Sequence, residues 1–289
     1  MDYGHALEFG AFITPTSRVP HQAVERSLLA EELGLELVTY QDHPYQPSLL
    51  DTWTLMAYVA ARTDRIRIAP NVLNLPLRHP AVLARAAASL DLLSGGRFEL
   101  ALGAGHFWDA IEAMSGVRLD PGQSVAALDE AILILRETWD AGAAGGVRVE
   151  GSQYEVVGAK RGPEPAHPIP IHVGGYRPRM LALTGRVADG WFVSQPAVSS
   201  PSLTEAGRII DEAAVEAGRE PREIRRHLNV LPVGGRGQDW SAQLAGLALE
   251  EGVSVFILVS DDADAMRSFA TETAPAVREL VTQQRGVIA

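Results

Sequence analysis

Asp42 and His43 stand side by side where an apolar stretch ends, within residues 35–47, and Pro44 and Pro47 follow them. Proline cannot extend a strand ladder, so the pair falls at a strand's carboxyl end. An imidazole titrating near neutrality could move a proton or hydrogen-bond a cofactor ring, and the neighbouring carboxylate could orient it or bond the ring itself. The plainer alternative is an Asx-turn at Asp42 with His43 packed on Tyr45. Asn71 follows Pro70 and offers an amide to a polar ring, or simply a turn residue. Gly103-Ala104-Gly105, followed by His106, would let backbone amides approach a ligand, although a tight turn explains the glycines equally well. Gly174-Gly175 precedes Tyr176-Arg177-Pro178-Arg179. Exposed amides, a helix's positive end and arginines together suit a phosphate; the alternative is a turn with solvated arginines.

Other chemistries find less support. Cysteine is absent, which removes thiolate nucleophiles, disulfides and cysteine metal sites together. His5, His21, His79, His167, His172 and His227 form no HxH or HExxH spacing, so no metal is expected, and His172 alternates with Ile171 and Val173 as a strand residue would. Neither a P-loop nor a GxSxG elbow occurs. Lys160 is the sole lysine and sits in a Gly/Pro-rich loop, a poor place for a Schiff base. A net charge of −11 argues against nucleic acid. The N-terminus lacks a basic-then-apolar leader and no apolar run reaches the roughly 20 residues of a membrane span, so a soluble, cytoplasmic protein is expected.

The elements that must position these residues alternate. Strands are expected at 9–13, 35–40, 66–69, 98–102, 169–173, 190–193, 227–232 and 253–259. Helices are expected at 20–33, from Asp51, at 80–93, at 125–139, from Arg179, at 202–217, at 239–251 and at 263–284, with a small hairpin over 147–157. Eight strand–helix units predict a single-domain α/β protein over residues 1–289: a (β/α)8 TIM barrel with an insertion around residues 140–168. An open doubly wound sheet is the alternative, but no strand–GxGxxG–helix unit opens the chain. Residues just after barrel strands form such active sites, which selects Thr14, Asp42, His43, Asn71, Gly103, Gly105, His106, Gly174, Gly175, Ser194 and Gln195.

The ordered set of short motifs is itself informative. Phe9-Gly10, Thr39-Tyr40-Gln41-Asp42-His43, Asp51 with Trp53, Arg62-Thr63-Asp64-Arg65-Ile66-Arg67-Ile68 leading to Asn71-Val72, Leu92-Leu93-Ser94-Gly95-Gly96-Arg97, Leu102-Gly103-Ala104-Gly105, Pro170-Ile171-His172-Val173-Gly174-Gly175 and Ala188-Asp189-Gly190-Trp191 occur in that sequence. Together they resemble the luciferase-like monooxygenase superfamily, in particular its branch using the deazaflavin coenzyme F420. The resemblance implies a flavin-type ring near Asp42 and His43, with Asn71-Val72 in a bulge behind it where relatives often hold a non-proline cis peptide. It places Gly103, Ala104 and Gly105, and Gly174, Gly175, Tyr176 and Arg177, by the cofactor's phosphate-bearing side chain.

The resemblance leaves a fork in the cofactor. A deazaflavin passes hydride, giving an F420-dependent oxidoreductase acting on a small-molecule substrate with His43, Asp42 and His106 as catalytic candidates. FMNH2 would give a two-component monooxygenase fed by a separate reductase. A non-catalytic flavin-binding barrel is a third reading. The Asp-His ending of the second strand favours F420. Relatives oxidising sugar phosphates carry a tryptophan shortly after that pair and a glutamate after the Gly-x-Gly; here Pro47 and His106 fall near those places, which disfavours a sugar phosphate. Phe107 and Trp108 point to a more apolar mouth, the alternative being that both pack against the next helix. A homodimer is implied by the resemblance alone.

Overall fold

The computed structural model describes residues 1–194, 202–232 and 240–288. Strand and helix alternate from the start: β1 (Glu8–Phe12), α1 (Gln22–Glu32), β2 (Leu37–Tyr40), α2 (Thr52–Ala60), β3 (Arg67–Pro70), β4 (Leu73–Asn74), α3 (Pro80–Ser94) and β5 (Leu100–Gly103). Two helices, α4 (Trp108–Ala113) and α5 (Pro121–Trp139), precede the antiparallel hairpin β6 (Val147–Glu150) and β7 (Glu155–Ala159), which is the expected insertion. The rhythm then resumes with β8 (Ile171–Gly174), α6 (Pro178–Val187), β9 (Gly190–Ser194), α7 (Leu203–Glu216), β10 (Arg225–Val230), α8 (Trp240–Glu251), β11 (Val255–Val259), α9 (Ala263–Ser268) and α10 (Ala274–Ile288). Residue 239, expected to start the penultimate helix, lies outside the described residues. A π-helical turn at Phe269–Thr273 joins α9 to α10, so the expected last helix is interrupted.

The main sheet is parallel and runs β3-β2-β1-β11-β10-β9-β8-β5-β4. Its nine strands are eight barrel positions, because β3 and β4 are one chain segment broken at Asn71–Val72. The sheet closes where Ile68 donates its amide to Arg97 and accepts from Glu99 at 2.9 and 3.0 Å. Pro70 brings no N–H to the ladder and the Asn71–Val72 peptide is cis, as the resemblance implied. Sequence periodicity shows the strand but not its break, since Leu73 and Asn74 form only a two-residue ladder with Leu102 and Gly103.

Two apolar layers hold this shape. The larger lies between the outer barrel face and the helices and includes Phe9, Val38, Tyr40, Met56, Ile68 and Leu128. The smaller fills the barrel interior with Leu37, Ala69, Ala101, Phe192, Val255 and Ile257. Caps place helices against loops that matter later. Asp51 accepts the Thr54 amide to start α2, and Asp120 with Gln123 forms a capping box at α5. Gly95, at φ +71°, ends α3 where a left-handed residue is required.

Candidate active site

The loops after the strands surround a cavity of about 1000 Å³. Those after β2, β4, β5 and β8 bring Asp42, His43, Asn71, Gly103, Gly105, His106, Gly174 and Gly175, which the positional rule selects, onto one wall system with Val72, Ala104, Tyr176 and Arg177. Ser194 joins them, whereas Thr14 does not line the cavity and instead donates its amide to Asp261 at 2.8 Å. Gln195 lies outside the described residues.

Asp42 is buried and its carboxylate is occupied. Oδ2 accepts the Asn74 amide at 2.9 Å and Arg78 Nε at 3.2 Å, while Oδ1 accepts Arg78 Nη2 at 3.0 Å. Neither oxygen therefore hydrogen-bonds His43, and Asp42 reaches that ring through its charge. The ring's Nδ1 lies 2.7 Å from the Tyr45 hydroxyl, leaving Nε2 without a hydrogen-bond partner among the described residues. Burial pulls His43 below the usual imidazole range; Asp42 opposes that pull and His106 adds to it. His43 is thus neutral at pH 7. Tyr45 keeps its proton, since burial and the Asp42 charge both push it up. The packing of His43 on Tyr45, expected as the bland alternative, is real and coexists with a place on the cavity wall.

Asn71 differs from expectation. Its Nδ2 donates to Thr39 Oγ1 at 3.1 Å and to Asn229 Oδ1 at 2.8 Å, and Asn229 Nδ2 donates back to Asn71 Oδ1 at 3.1 Å and to Ser194 Oγ at 2.9 Å. The side-chain amide is spent on fixing the floor rather than free for a ring. The glycines also serve a different purpose. A Cβ on Gly103 would lie 2.7 Å from Val72 Cγ2, and one on Gly174 would lie 2.8 Å from the same atom. Both are therefore small because Val72 fills the space between their strands. Gly105, at φ +95°, has the conformational reason: a turn that a side chain would strain, with Trp108 and Pro76 packed against it.

The wall after β8 carries positive character. Arg177 is the N-cap of α6 with no side-chain cap; Pro178 brings no N–H and the Met180 amide donates to the Arg177 carbonyl at 2.9 Å, which leaves the Arg179 amide open at that end. Arg177 is exposed, lies over the Tyr176 ring at 5.3 Å and has no carboxylate partner among the described residues; nor does Arg179. An anion placed here would meet two guanidiniums and a helix N-terminus. Across β5, Phe107 is 52% exposed and meets three rings edge-on: His106 at 4.9 Å, His43 at 5.6 Å and Tyr45 at 5.9 Å.

Sequence reasoning missed Arg78 and Asn229, and read Tyr45 only as a packing partner of His43. Arg78 and Asn229 act through partners 36 and 158 residues away, and no local pattern marks such pairing. It also missed a grouping at the other end of the barrel. Glu99, His172 and His227, all buried, place one ligand-type atom each within 4.8 Å of the others. Glu99 accepts from Arg67 and lies 3.0 Å from His172 Nε2. His172 is a barrel strand residue, as its alternation implied. Because Arg67 already balances the Glu99 charge, the group is an ion-paired plug below the site.

A family model described as luciferase-like monooxygenase matches residues 1–277. The F420-dependent glucose-6-phosphate dehydrogenase of Amycolatopsis mediterranei (strain U-32) is 34% identical over 217 residues, covering 73% of this chain and 64% of that protein. The protein of the same name from Kribbella flavida is 31% identical over 220 residues, with the same coverage of both chains. The chain thus spans just under two thirds of the length of these relatives. Among solved structures, an F420-dependent secondary alcohol dehydrogenase in complex with an F420-acetone adduct superposes with a TM-score of 0.80 at 18% identity, covering 94% of this chain and 99% of that one. That likeness establishes the shared TIM-barrel fold.

Proposed function

The chain belongs to the luciferase-like monooxygenase family, and on that premise we propose that it is a coenzyme F420-dependent oxidoreductase working as one catalytic domain on a small organic substrate. One observation carries the reading: a single cavity joins an anion-ready wall to a neutral imidazole. Arg177, Arg179 and the free Arg179 amide at the start of α6 would hold the cofactor's phosphate-bearing side chain, while Val72, seated between Gly103 and Gly174, would back the ring. The residues fit the group, since a cavity of about 1000 Å³ is at the upper end of those that hold cofactors. When bound, the deazaflavin supplies a carbon that accepts or gives hydride.

The chain's own part is positioning and proton transfer. With the Tyr45 oxygen accepting from Nδ1–H, Nε2 of His43 carries the lone pair and can take the proton of a substrate hydroxyl. The positive charge then on the ring is stabilised by the fixed carboxylate of Asp42. In the reverse direction the same atom returns the proton to a carbonyl oxygen. Replacing His43 by Ala should lower turnover about 10²-fold with the cofactor still bound; unchanged turnover would remove it from this role.

The family's description favours a second reading, an FMNH2-dependent monooxygenase supplied by a separate reductase. A flavin-binding barrel without catalysis fits less well, because it gives no purpose to an unpartnered His43 Nε2. The proposal also includes a cytoplasmic homodimer. Its supports are that no described helix is long and apolar enough to cross a membrane, and that Tyr58 on α2 and Val82 and Leu93 on α3 are exposed.

A further inference from the structure

We propose that the rings gathered around Phe107 form a collar selecting an uncharged, predominantly apolar alcohol or carbonyl compound in place of the phosphorylated sugar named for the relatives. The inference rests on the oxidoreductase reading and concerns the substrate end of the same cavity. Phe107 is half exposed and lines the cavity, so a ligand seated there would cover it. It is held edge-on by His43, Tyr45 and His106, rings from two different loops that line the same cavity as Asn71 and Val72. Trp108, Leu119 and Val125 extend the same wall.

The charge inventory points the same way. Among the described wall residues, the cations without carboxylate partners are Arg177 and Arg179, both on the β8 wall that would hold the cofactor's side chain. Arg78 is spent on Asp42 and Asp51. At the collar, His43 is neutral because burial pulls its pKa down. A phosphate there would be desolvated against aromatic edges with no matched guanidinium among the described residues, whereas an apolar body would cover them and leave one oxygen for His43 Nε2. Phe107 is then the specificity-determining residue.

The test combines binding with turnover. Calorimetric titration of the cofactor-free protein with acetophenone and with glucose 6-phosphate reads the collar directly. Acetophenone should bind and should weaken about tenfold in Phe107→Ala, with Phe107→Leu restoring most of the affinity. With F420 present, Phe107→Ala should raise KM for the matching aryl alcohol by a similar factor while kcat changes little. Glucose 6-phosphate binding tighter than acetophenone, or acetophenone binding unaltered in Phe107→Ala, would overturn the inference. A separate fluorescence titration with F420 shows whether the cofactor reading fails, and the calorimetric contrast decides the collar whichever way that titration falls.

Discussion

Asp42 and Arg78 are joined by two hydrogen bonds, Nε to Oδ2 at 3.2 Å and Nη2 to Oδ1 at 3.0 Å. The carboxylate of the Asp-His pair therefore faces a guanidinium from the turn after β4, and the same Oδ2 fixes the Asn74 amide just past the bulge. Asp42 is a positioning residue: it ties the β2 loop to the segment that carries Val72 and leaves a fixed negative charge beside His43. Asp42→Ala strands the part-buried guanidinium and an amide. Breaking a buried pair costs about 3–5 kcal/mol, and the residual solvent access of Arg78 together with its second bond to Asp51 lowers the expectation to about 2–3 kcal/mol. Urea unfolding of wild type and variant measures it; a loss below about 0.5 kcal/mol would show that the pair does not anchor the loop.

Gly103 and Val72 should be coupled. A methyl group on Gly103 would overlap Val72 Cγ2, and overpacking of that kind costs about 1–3 kcal/mol. Gly103→Ala is expected to lower stability within that range and to weaken cofactor binding. In the double variant Gly103→Ala/Val72→Ala the clash is gone, so much of the stability should return. A double-mutant cycle gives the coupling energy directly. Strict additivity would mean that Gly103 is needed for amide approach to a ligand rather than for Val72.

Acid should lower the protein's stability along two limbs, and the plug at the barrel's lower end contributes to both, with His43 and His5 adding to the first. His227 is held well below the imidazole range by burial, with His172, Arg225 and Arg67 adding to the effect and Glu99 opposing it. The unfolded chain therefore binds the proton first, from about pH 6.5, and stability falls as pH drops below that value by about 1.4 kcal/mol per unit at most for this group. Burial pushes the Glu99 carboxyl up, but the His172 hydrogen bond and the Arg67 guanidinium outweigh it and hold it well below the usual range. Its stabilisation is complete above about pH 4.5 and is lost progressively below. Thermal melts from pH 7.5 to 4 should show the first limb, and His227→Gln should flatten it. An identical profile in that variant would assign the limb to other groups.

Much of this was legible in the chain. Eight strands announced themselves through short apolar runs, most of them closed by Pro, Gly or Asn, and the barrel rule then put His43, His106, Gly174 and Gly175 around one cavity without reference to any relative. The insertion was visible because residues 147–157 alternate in the wrong place for a barrel strand. What escaped was partnership across distance. Asp42 looked free for chemistry because Arg78, its partner, lies beyond an entire helix. Asn71 looked available because Asn229 closes the ring of amides from the far side of the barrel. Gly103 and Gly174 carried the signal of a phosphate loop, yet the shape of Val72 accounts for them. Histidines 55 residues apart in the chain, His172 and His227, stand with ring centroids 4.4 Å apart inside the barrel, a proximity that no linear spacing rule contains.

The choice of cofactor is the centre of the account, and paired titrations test it most directly. Purified protein is titrated with F420 and with FMN, following ligand fluorescence, in parallel with the Arg177→Ala/Arg179→Ala double variant. F420 is expected to bind in the micromolar range and FMN at least about tenfold more weakly. The double variant should lose about 10–100-fold in F420 affinity, consistent with about 1.5–3 kcal/mol for hydrogen bonds to charged groups. Micromolar FMN binding with no detectable F420 binding would contradict the account.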